Sequence, residues 1–132
     1  MKPMEKIICI RGAITVKENA IKEIKDSTVK LLNEIFTQNN IQKEKVINII
    51  FTVTDDLDIL NPATVAREKF KIDSIPMLCV QEMKVKDGLS KCIRVMIQVE
   101  TCHGKSLHHG RPSDIKHVYL GDAANLRPDL NA

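Results

Sequence analysis

A β-strand with a charge in its middle is encoded by the stretch Cys92-Ile93-Arg94-Val95-Met96-Ile97-Gln98-Val99. One face of this strand is entirely aliphatic and consists of Ile93, Val95, Ile97 and Val99. That pattern predicts a strand covered by helices on one side. Arg94 lies on the opposite face, with Cys92, Met96 and Gln98. Because a guanidinium keeps its charge in a protein, a covered Arg94 needs either an acidic partner or an anionic ligand.

The segments around this strand predict the element order β-α-β-α-β-β-β. Strands are predicted at residues 5–11, 45–54, 74–85, 92–99 and 115–120. Thr15-Val16-Lys17-Glu18 fits a capping box and predicts a first helix that ends near Gln38. Asn61-Pro62 fits an N-cap with proline at the first helical position, and predicts a second helix that ends near Lys71. Lys86-Asp87-Gly88 has the chemistry of a hairpin turn that leads into the next strand.

Length and composition exclude several classes of protein. The chain has 132 residues, which fits a single domain over 1–132, with a C-terminal tail at 121–132 that we expect to be mobile. A net charge of +3 and an aromatic content of 3% are too low for a nucleic-acid surface with stacking platforms. No apolar stretch is long enough for a membrane span. Neither a nucleic acid nor a membrane is therefore an expected partner.

The cysteines indicate the compartment. Cys9, Cys79, Cys92 and Cys102 show no CxxC spacing, and three of the four lie in apolar, strand-like runs. Buried free thiols explain this pattern better than disulfides, and the N-terminus has no signal-peptide layout. We therefore expect a cytoplasmic protein.

Four further residues are candidates for a binding site. Glu82 lies among apolar neighbours, where it either neutralises Arg94 in a structural ion pair or accepts a hydrogen bond from a substrate hydroxyl. Arg11 ends the first strand just before a glycine, either as a ligand-binding group or as a solvated charge. Tyr119, the only tyrosine, is equally explained by core packing with a satisfied hydroxyl. Arg127 precedes a proline in the tail, and by itself it signals nothing.

Other chemistries find no support in the sequence. One loop holds a histidine cluster next to a cysteine, formed by Cys102, His103, His108 and His109. Its spacing matches no standard zinc pattern, so no metal site is predicted. The chain also has no phosphate-binding glycine-rich loop, no assignable Ser-His-Asp set and no paired carboxylates, which argues against phosphoryl transfer and hydrolysis.

Several segments, taken in order along the chain, resemble one enzyme family. They are Ile10-Arg11-Gly12-Ala13, Pro62-Ala63 with Val65-Ala66-Arg67-Glu68, Cys79-Val80-Gln81-Glu82-Met83, Gly88-Leu89-Ser90-Lys91-Cys92-Ile93-Arg94-Val95-Met96, His117-Val118-Tyr119-Leu120 and Leu126-Arg127-Pro128-Asp129-Leu130. Together they resemble the trimeric mixed α/β class of chorismate mutase, which is distinct from the all-helical class.

The resemblance implies an α+β fold in a single domain, with two helices covering a mixed β-sheet. It implies a homotrimer in which the sheets form a barrel-like core, with an active site at each subunit interface. The implied reaction is the Claisen rearrangement of chorismate to prephenate, an isomerisation early in phenylalanine and tyrosine synthesis on the shikimate pathway. The resemblance implies no cofactor and no metal.

The resemblance also implies roles for residues at matching positions. Arg94 would contact the ether oxygen and a carboxylate of chorismate. Glu82 would bind the ring hydroxyl. Arg11 and Tyr119 would hold a carboxylate.

Four more residues would complete the implied site. Cys79 would border the hydroxyl end of the site, and Arg67 would lie at its mouth. Leu126 and Arg127 would come from the tail as it folds over the bound ligand. The residues that depart from the family pattern near the site are Asn61, Thr64 and Leu78.

Two other functions compete with the mutase. One is a trimeric protein that keeps the pocket and binds a small molecule without turnover. The other is an imine or enamine deaminase of the trimeric Rid type, whose subunit has a similar architecture and an interfacial arginine. The combination of Glu82 with Arg94 and the tail segment Leu126-Arg127-Pro128-Asp129 argue against the deaminase.

Overall fold

The order of elements agrees with the sequence-based prediction. The structure is a computed structural model, and it describes residues 5–102 and 115–129. Its strands are β1 (Glu5–Thr15), β2 (Val46–Val53), β3 (Met77–Gln81), β4 (Cys92–Cys102) and β5 (Val118–Leu120). The helices are α1 (Ile21–Gln38) and α2 (Pro62–Phe70), with short 3-10 turns at Lys43–Lys45 and Gly121–Asn125. No helix among these residues is long and apolar enough to cross a membrane.

The strands form one mixed sheet of five strands in the order β3-β2-β4-β1-β5. The central strand β4 is antiparallel to both neighbours, β1 and β2. The outer strands are parallel to theirs, since β3 follows β2 and β5 follows β1. The predicted α+β class with a mixed sheet and two helices is therefore confirmed.

The core lies between the sheet and the two helices. The aliphatic face of β4 is buried as its alternation predicts, with no residue of the four more than 4% exposed. Helix α1 contributes a fully buried stripe made of Ile24, Leu31, Leu32 and Ile35. Helix α2 adds Ala63 and Ala66 to the same cluster, so both helices cover one face. Each buried Leu or Ile side chain contributes about 1.5–3 kcal/mol to such a core.

Two residues bring α1 close to the sheet edge. A Cβ atom at Gly12 would lie 2.7 Å from Cδ1 of Ile35 and 3.0 Å from the Val118 carbonyl oxygen, so α1 and β5 approach β1 closely at this glycine. The buried amide of Asn39, at the end of α1, accepts from the Lys116 N–H at 2.8 Å and donates to the Lys116 carbonyl at 2.8 Å. These contacts place the start of β5 beside β1.

The first helix begins later than the capping box predicts. Strand β1 continues to Thr15, and α1 starts only at Ile21, after Ala20 as N-cap with no side-chain cap. The Thr15 hydroxyl instead accepts the N–H of Asp122 at 2.9 Å. The hydroxyl that was expected to cap the helix is therefore bound by a residue near the end of the chain, and the predicted helix start is wrong. By contrast, Asn61 caps α2 as predicted, since its side chain accepts the Ala63 N–H at 2.8 Å.

The turn before β4 does not close a hairpin. A tight turn is present, because the Gly88 N–H donates to the Val85 carbonyl at 3.0 Å. However, β3 and β4 do not pair with each other, since β2 lies between them. The expected hairpin is wrong because β2 lies between the two strands and pairs with β3 along one edge and with β4 along the other.

The tail is more structured than a polar segment without periodicity suggests. Residues Gly121–Asn125 form a 3-10 turn that packs against β1, with Ala123 fully buried. Gly121 has a φ of +61°, and a side chain there would lie 2.5 Å from Oγ1 of Thr15. The mobility expected of 121–132 stays a prediction.

Candidate active site

One row of residues crosses the whole sheet. Register pairs join Val80 to Thr52, Thr52 to Arg94, Arg94 to Ala13 and Ala13 to Tyr119. Residues paired across neighbouring strands share a face. Arg94 alternates with the buried residues of β4, so this row lies on the face opposite the helices.

Arg94 and Glu82 form an ion pair on that face. The Arg94 Nε lies 3.4 Å from the Glu82 Oε1, with the side chains 46% and 28% exposed. The same carboxylate oxygen accepts the Thr52 hydroxyl at 2.5 Å, and the Glu82 N–H donates to the Val53 carbonyl at 2.7 Å. The structural ion pair considered for Arg94 is therefore present, and it leaves the guanidinium half-exposed.

A cavity of about 500 Å³ opens beside this pair. Arg94, Glu82 and Cys92 line it together with the loop that follows β2, residues 54–56. Its other wall is the connection between β3 and β4, residues 83–90. This volume is in the range of small-molecule sites.

Cys92 is a site residue that the sequence analysis did not single out. It is 3% exposed, and burial raises the pKa of its thiol while the nearby Arg94 charge partly opposes that rise. The available signal was the period of the strand, because Cys92 precedes Arg94 by two residues and must share its face.

Arg11 lies on the same face as Arg94, one register step further along β1, where it pairs with Met96. Its backbone N–H donates to Nδ1 of His117 at 3.0 Å. Burial lowers the pKa of His117, and the charges of Arg11 and Arg127 lower it further. The structure thus brings Arg11 and the tail residue Arg127 into one neighbourhood.

The tail reaches the site through a second, smaller apolar cluster. Its buried members are Ala13, Cys92, Tyr119 and Ala123, and Leu126 packs against them. Tyr119 is only 6% exposed there, as core packing predicts.

Arg127 is already paired within the tail. Its Nε and Nη2 donate to the two carboxylate oxygens of Asp129 at 3.1 and 2.8 Å. This bidentate pair raises the pKa of Arg127 and lowers that of Asp129. Arg127 would have to leave Asp129 before it could contact a ligand.

Two predicted site residues lie on the side of the sheet that the helices cover. Cys79 pairs in register with the buried Phe51 and packs against the main core, where burial raises the pKa of its thiol. Arg67 is exposed on α2. Within one chain, the structure therefore does not bring Cys79 or Arg67 together with Arg94, and their roles stay predictions.

The histidine loop lies outside the described residues. Among residues 5–102 and 115–129, no cluster of His, Cys, Asp or Glu side chains is placed to hold a metal ion.

Comparisons with known proteins agree with the resemblance. The chain matches the family model described as chorismate mutase type I over residues 7–130. It is 41% identical to chorismate mutase AroH of Bacillus subtilis (strain 168) over 123 residues, which cover 92% of this chain and 91% of the relative. It is 38% identical to chorismate mutase AroH of Thermus thermophilus over 125 residues, with 93% and 95% covered.

A solved structure supports the same assignment. The fold matches a chorismate mutase from Clostridium thermocellum with a TM-score of 0.77 and 42% sequence identity, covering 88% of this chain and 96% of that one. The family match over nearly the whole chain and these identities confirm the resemblance to the mixed α/β class. This chain belongs to the chorismate mutase type I family.

Proposed function

We propose that this protein converts chorismate to prephenate and that Arg94 is the electrostatic centre of the reaction. Family membership supports the activity. The observation that carries the site is the Arg94–Glu82 pair beside a cavity of about 500 Å³. The product is a precursor of phenylalanine and tyrosine, so the reaction belongs to aromatic amino-acid synthesis.

The substrate matches the charge on this face. Chorismate is a dianion, and Arg94 and Arg11 both project from the same side of the sheet, with Arg127 close to Arg11. A dianion supplies the counter-charges that several arginines need when they converge on one pocket. Arginine is also the side chain best shaped to bind a carboxylate through two hydrogen bonds.

The reaction needs no proton transfer and no covalent intermediate with the protein. The ether C–O bond breaks while a new C–C bond forms within the same molecule, and negative charge develops on the ether oxygen in the transition state. A fixed guanidinium aimed at that oxygen stabilises the transition state more than the ground state. The enzyme must also hold the substrate in a compact, chair-like conformation, which reduces the entropic part of the barrier.

Glu82 has two roles in this proposal. Without substrate it neutralises Arg94, and with substrate it accepts a hydrogen bond from the ring hydroxyl. The Thr52 hydroxyl and the backbone bond to Val53 keep the carboxylate in place during the exchange. Cys92 lines the same cavity.

The remaining predicted residues bind the rest of the ligand. Arg11 and Tyr119 hold a carboxylate. Leu126 keeps the tail on the second apolar cluster, and Arg127 closes over the ligand after it exchanges Asp129 for a substrate carboxylate. No cofactor or metal takes part.

We further propose a homotrimer whose interface is the face of the sheet opposite the helices, the face that carries Arg94. Large apolar side chains are exposed on this face, including Leu78 at 64% and Val80 at 47%. Exposed apolar patches of this kind mark association surfaces. Arg67 and Cys79 lie on the side of the sheet that α2 covers, away from Arg94 of the same chain. In the trimer they would complete the site across the subunit boundary.

A cytoplasmic location fits the thiols. Cys9, Cys79 and Cys92 are free, which is the usual state of cysteines in a reducing compartment.

The alternative of a binding protein without turnover predicts a different result in one assay. The absorbance of chorismate is followed after addition of the purified protein. We expect a loss of absorbance that scales with protein concentration, with prephenate as the product. Binding of chorismate with no loss above the uncatalysed rate would favour the binding protein.

A further inference from the structure

The geometry points to Asp56 as a positioning residue for Arg94. From the loop after β2, Asp56 and Thr54 hold the backbone at the start of β4, the strand that carries the guanidinium. The inference rests on the proposed function, because its effect is expressed in the same reaction.

The Asp56 carboxylate is fully engaged with this segment. Its two oxygens both lie 3.0 Å from the Lys91 backbone nitrogen, whose N–H they share. One of them also accepts the Thr54 hydroxyl at 2.5 Å. The Thr54 hydroxyl oxygen in turn accepts the Cys92 N–H at 2.9 Å. Two consecutive backbone N–H groups are thereby bound by one acid and one hydroxyl, 35 and 38 residues away in sequence.

The residue that Asp56 holds has an uncommon backbone conformation. Lys91 has a φ of +48°, in the left-handed region that side-chain-bearing residues rarely adopt. Its carbonyl is also bound, since it accepts the Val16 N–H at 2.7 Å. A strained residue persists only where its surroundings hold it, and such residues concentrate at functional sites. Asp56 binds the N–H of Lys91, and Val16, the residue after β1, binds its carbonyl.

The position of Arg94 depends on this anchor. The Arg94 side chain is 46% exposed and its ion pair with Glu82 spans 3.4 Å, so packing alone leaves it freedom to move. Its backbone is three residues beyond Lys91. Between them, Cys92 is bound on both sides by Thr54, whose own N–H donates to the Cys92 carbonyl at 3.1 Å. Releasing the anchor therefore shifts the strand end from which the guanidinium projects.

A direct role of Asp56 with the substrate is disfavoured. Its carboxylate lies at the cavity wall but its oxygens already accept hydrogen bonds from the chain. A second acid beside a dianionic ligand would also repel it. The effect of Asp56 is thus expected in the placement of Arg94, and so in kcat rather than in KM.

The test compares four variants for turnover and thermal unfolding. Asp56→Ala removes the anchor, whereas Asp56→Asn keeps one oxygen for the Lys91 N–H and an amide for the Thr54 oxygen. Thr54→Val removes the bond to the Cys92 N–H and the hydroxyl bond to Asp56, but it keeps the Asp56 carboxylate and its contact with the Lys91 N–H. Asp58→Ala is the matched control, because this exposed acid of the same loop bonds to Asn19 instead.

We expect Asp56→Ala and Thr54→Val to lower kcat about tenfold to a hundredfold, the scale of an ångström-sized misplacement in an active site. KM should rise less than kcat falls, because the substrate contacts of Arg11, Glu82 and the tail are kept. Asp56→Asn should recover most of the lost kcat, and Asp58→Ala should match the native protein.

A second readout reports the anchor without any turnover. Cys92 is buried, and its alkylation in the native protein serves as the reference. The rate of alkylation of Cys92 by iodoacetamide, followed by peptide mass spectrometry, should rise at least about tenfold in Asp56→Ala, because loss of the anchor opens the strand end. It should be unchanged in Asp58→Ala.

The outcomes separate the two proposals. Faster alkylation of Cys92 together with a fall in kcat supports the positioning role. Unchanged alkylation, or native kcat in folded Asp56→Ala and Thr54→Val, overturns it while the proposed function stands. If Asp56→Ala does not fold, Thr54→Val against Asp58→Ala decides in the same way. A native protein that does not convert chorismate contradicts the proposed function, and the positioning role falls with it.

Discussion

The Nε of Arg94 and the Oε1 of Glu82 lie 3.4 Å apart, in an ion pair whose side chains are both partly exposed. Exposed ion pairs of this kind contribute only about 0–1 kcal/mol to stability. The pair therefore neutralises Arg94 at little cost to its release. A ligand that brings its own carboxylate can take over the guanidinium while Glu82 stays bound to Thr52.

Glu82→Gln tests the proposed exchange, because it removes the charge and keeps an oxygen for the Thr52 hydroxyl. A hydrogen bond from the ring hydroxyl to a charged group contributes about 1.5–3 kcal/mol, so kcat/KM for chorismate should fall about tenfold to a hundredfold. A dicarboxylate inhibitor that lacks the ring hydroxyl should bind more tightly, since Arg94 loses its internal competitor. Both are measured by steady-state kinetics and inhibition. If kcat/KM for chorismate and the affinity for the inhibitor both fell, the role given to Glu82 would be contradicted.

Removal of the tail after Asn125 tests whether Leu126 and Arg127 close the site. Leu126 packs on the cluster that contains Tyr119, and Arg127 lies near Arg11. Their loss should raise KM several-fold more than it lowers kcat, because the tail binds substrate and product without touching the breaking bond. A protein shortened only by residues 130–132 is the control. An unchanged KM after the longer truncation would show that the tail does not bind the ligand.

His117 predicts a pH dependence of stability. Its pKa in the folded protein is lowered below the ordinary value of 6.5 by burial, with the charges of Arg11 and Arg127 adding to the effect. The unfolded chain therefore binds more protons, and stability rises with pH between the two pKa values. The contribution is complete above pH 6.5 and is lost as the pH falls through the folded pKa.

The matched variant for this prediction is His117→Asn. It removes the titrating ring and offers an amide oxygen to the Arg11 N–H, which now bonds to Nδ1. Urea midpoints between pH 7.5 and pH 5.5 should fall more for the native protein than for this variant. Equal slopes would contradict the prediction, because the other histidines are present in both proteins.

Mixed subunits test the interfacial site. Arg94→Ala and Arg67→Ala subunits are unfolded together and refolded as a mixture. If the two arginines of one site come from different subunits, about a quarter of the sites regain both native residues. The mixture should then exceed the mean activity of the separate variants, and sedimentation should report a trimer. Activity equal to that mean would contradict a shared site.

The sequence predicted those features that depend on local periodicity. The two faces of β4 follow from alternation at Ile93, Arg94 and Val95, because a strand buried on one side must repeat every second residue. The cap at Asn61 followed from a contact only two residues long. The pairing of Glu82 with Arg94 was predictable because an acid among apolar neighbours needs a partner.

Features that depend on distant contacts were not predictable. Thr15 failed as a helix cap because its hydroxyl is bound by Asp122, 107 residues away. Asp56 carried no local signal, since its partner Lys91 becomes adjacent only after β2 and β4 pair. Cys92 shares a face with Arg94, but nothing in the sequence around it indicates that it lines a cavity.

The most direct test of the proposed mechanism is the chorismate turnover of the native protein beside Arg94→Lys. Lysine keeps the positive charge but offers a point charge where the ether oxygen and a carboxylate need a planar fork. We expect kcat to fall at least about 10²–10³-fold, or about 3–4 kcal/mol of barrier, the cost of one preorganised donor.

Circular dichroism should show Arg94→Lys folded, and Lys30→Ala, an exposed change on α1, should keep native turnover. Near-native turnover by folded Arg94→Lys would contradict the central role of the guanidinium.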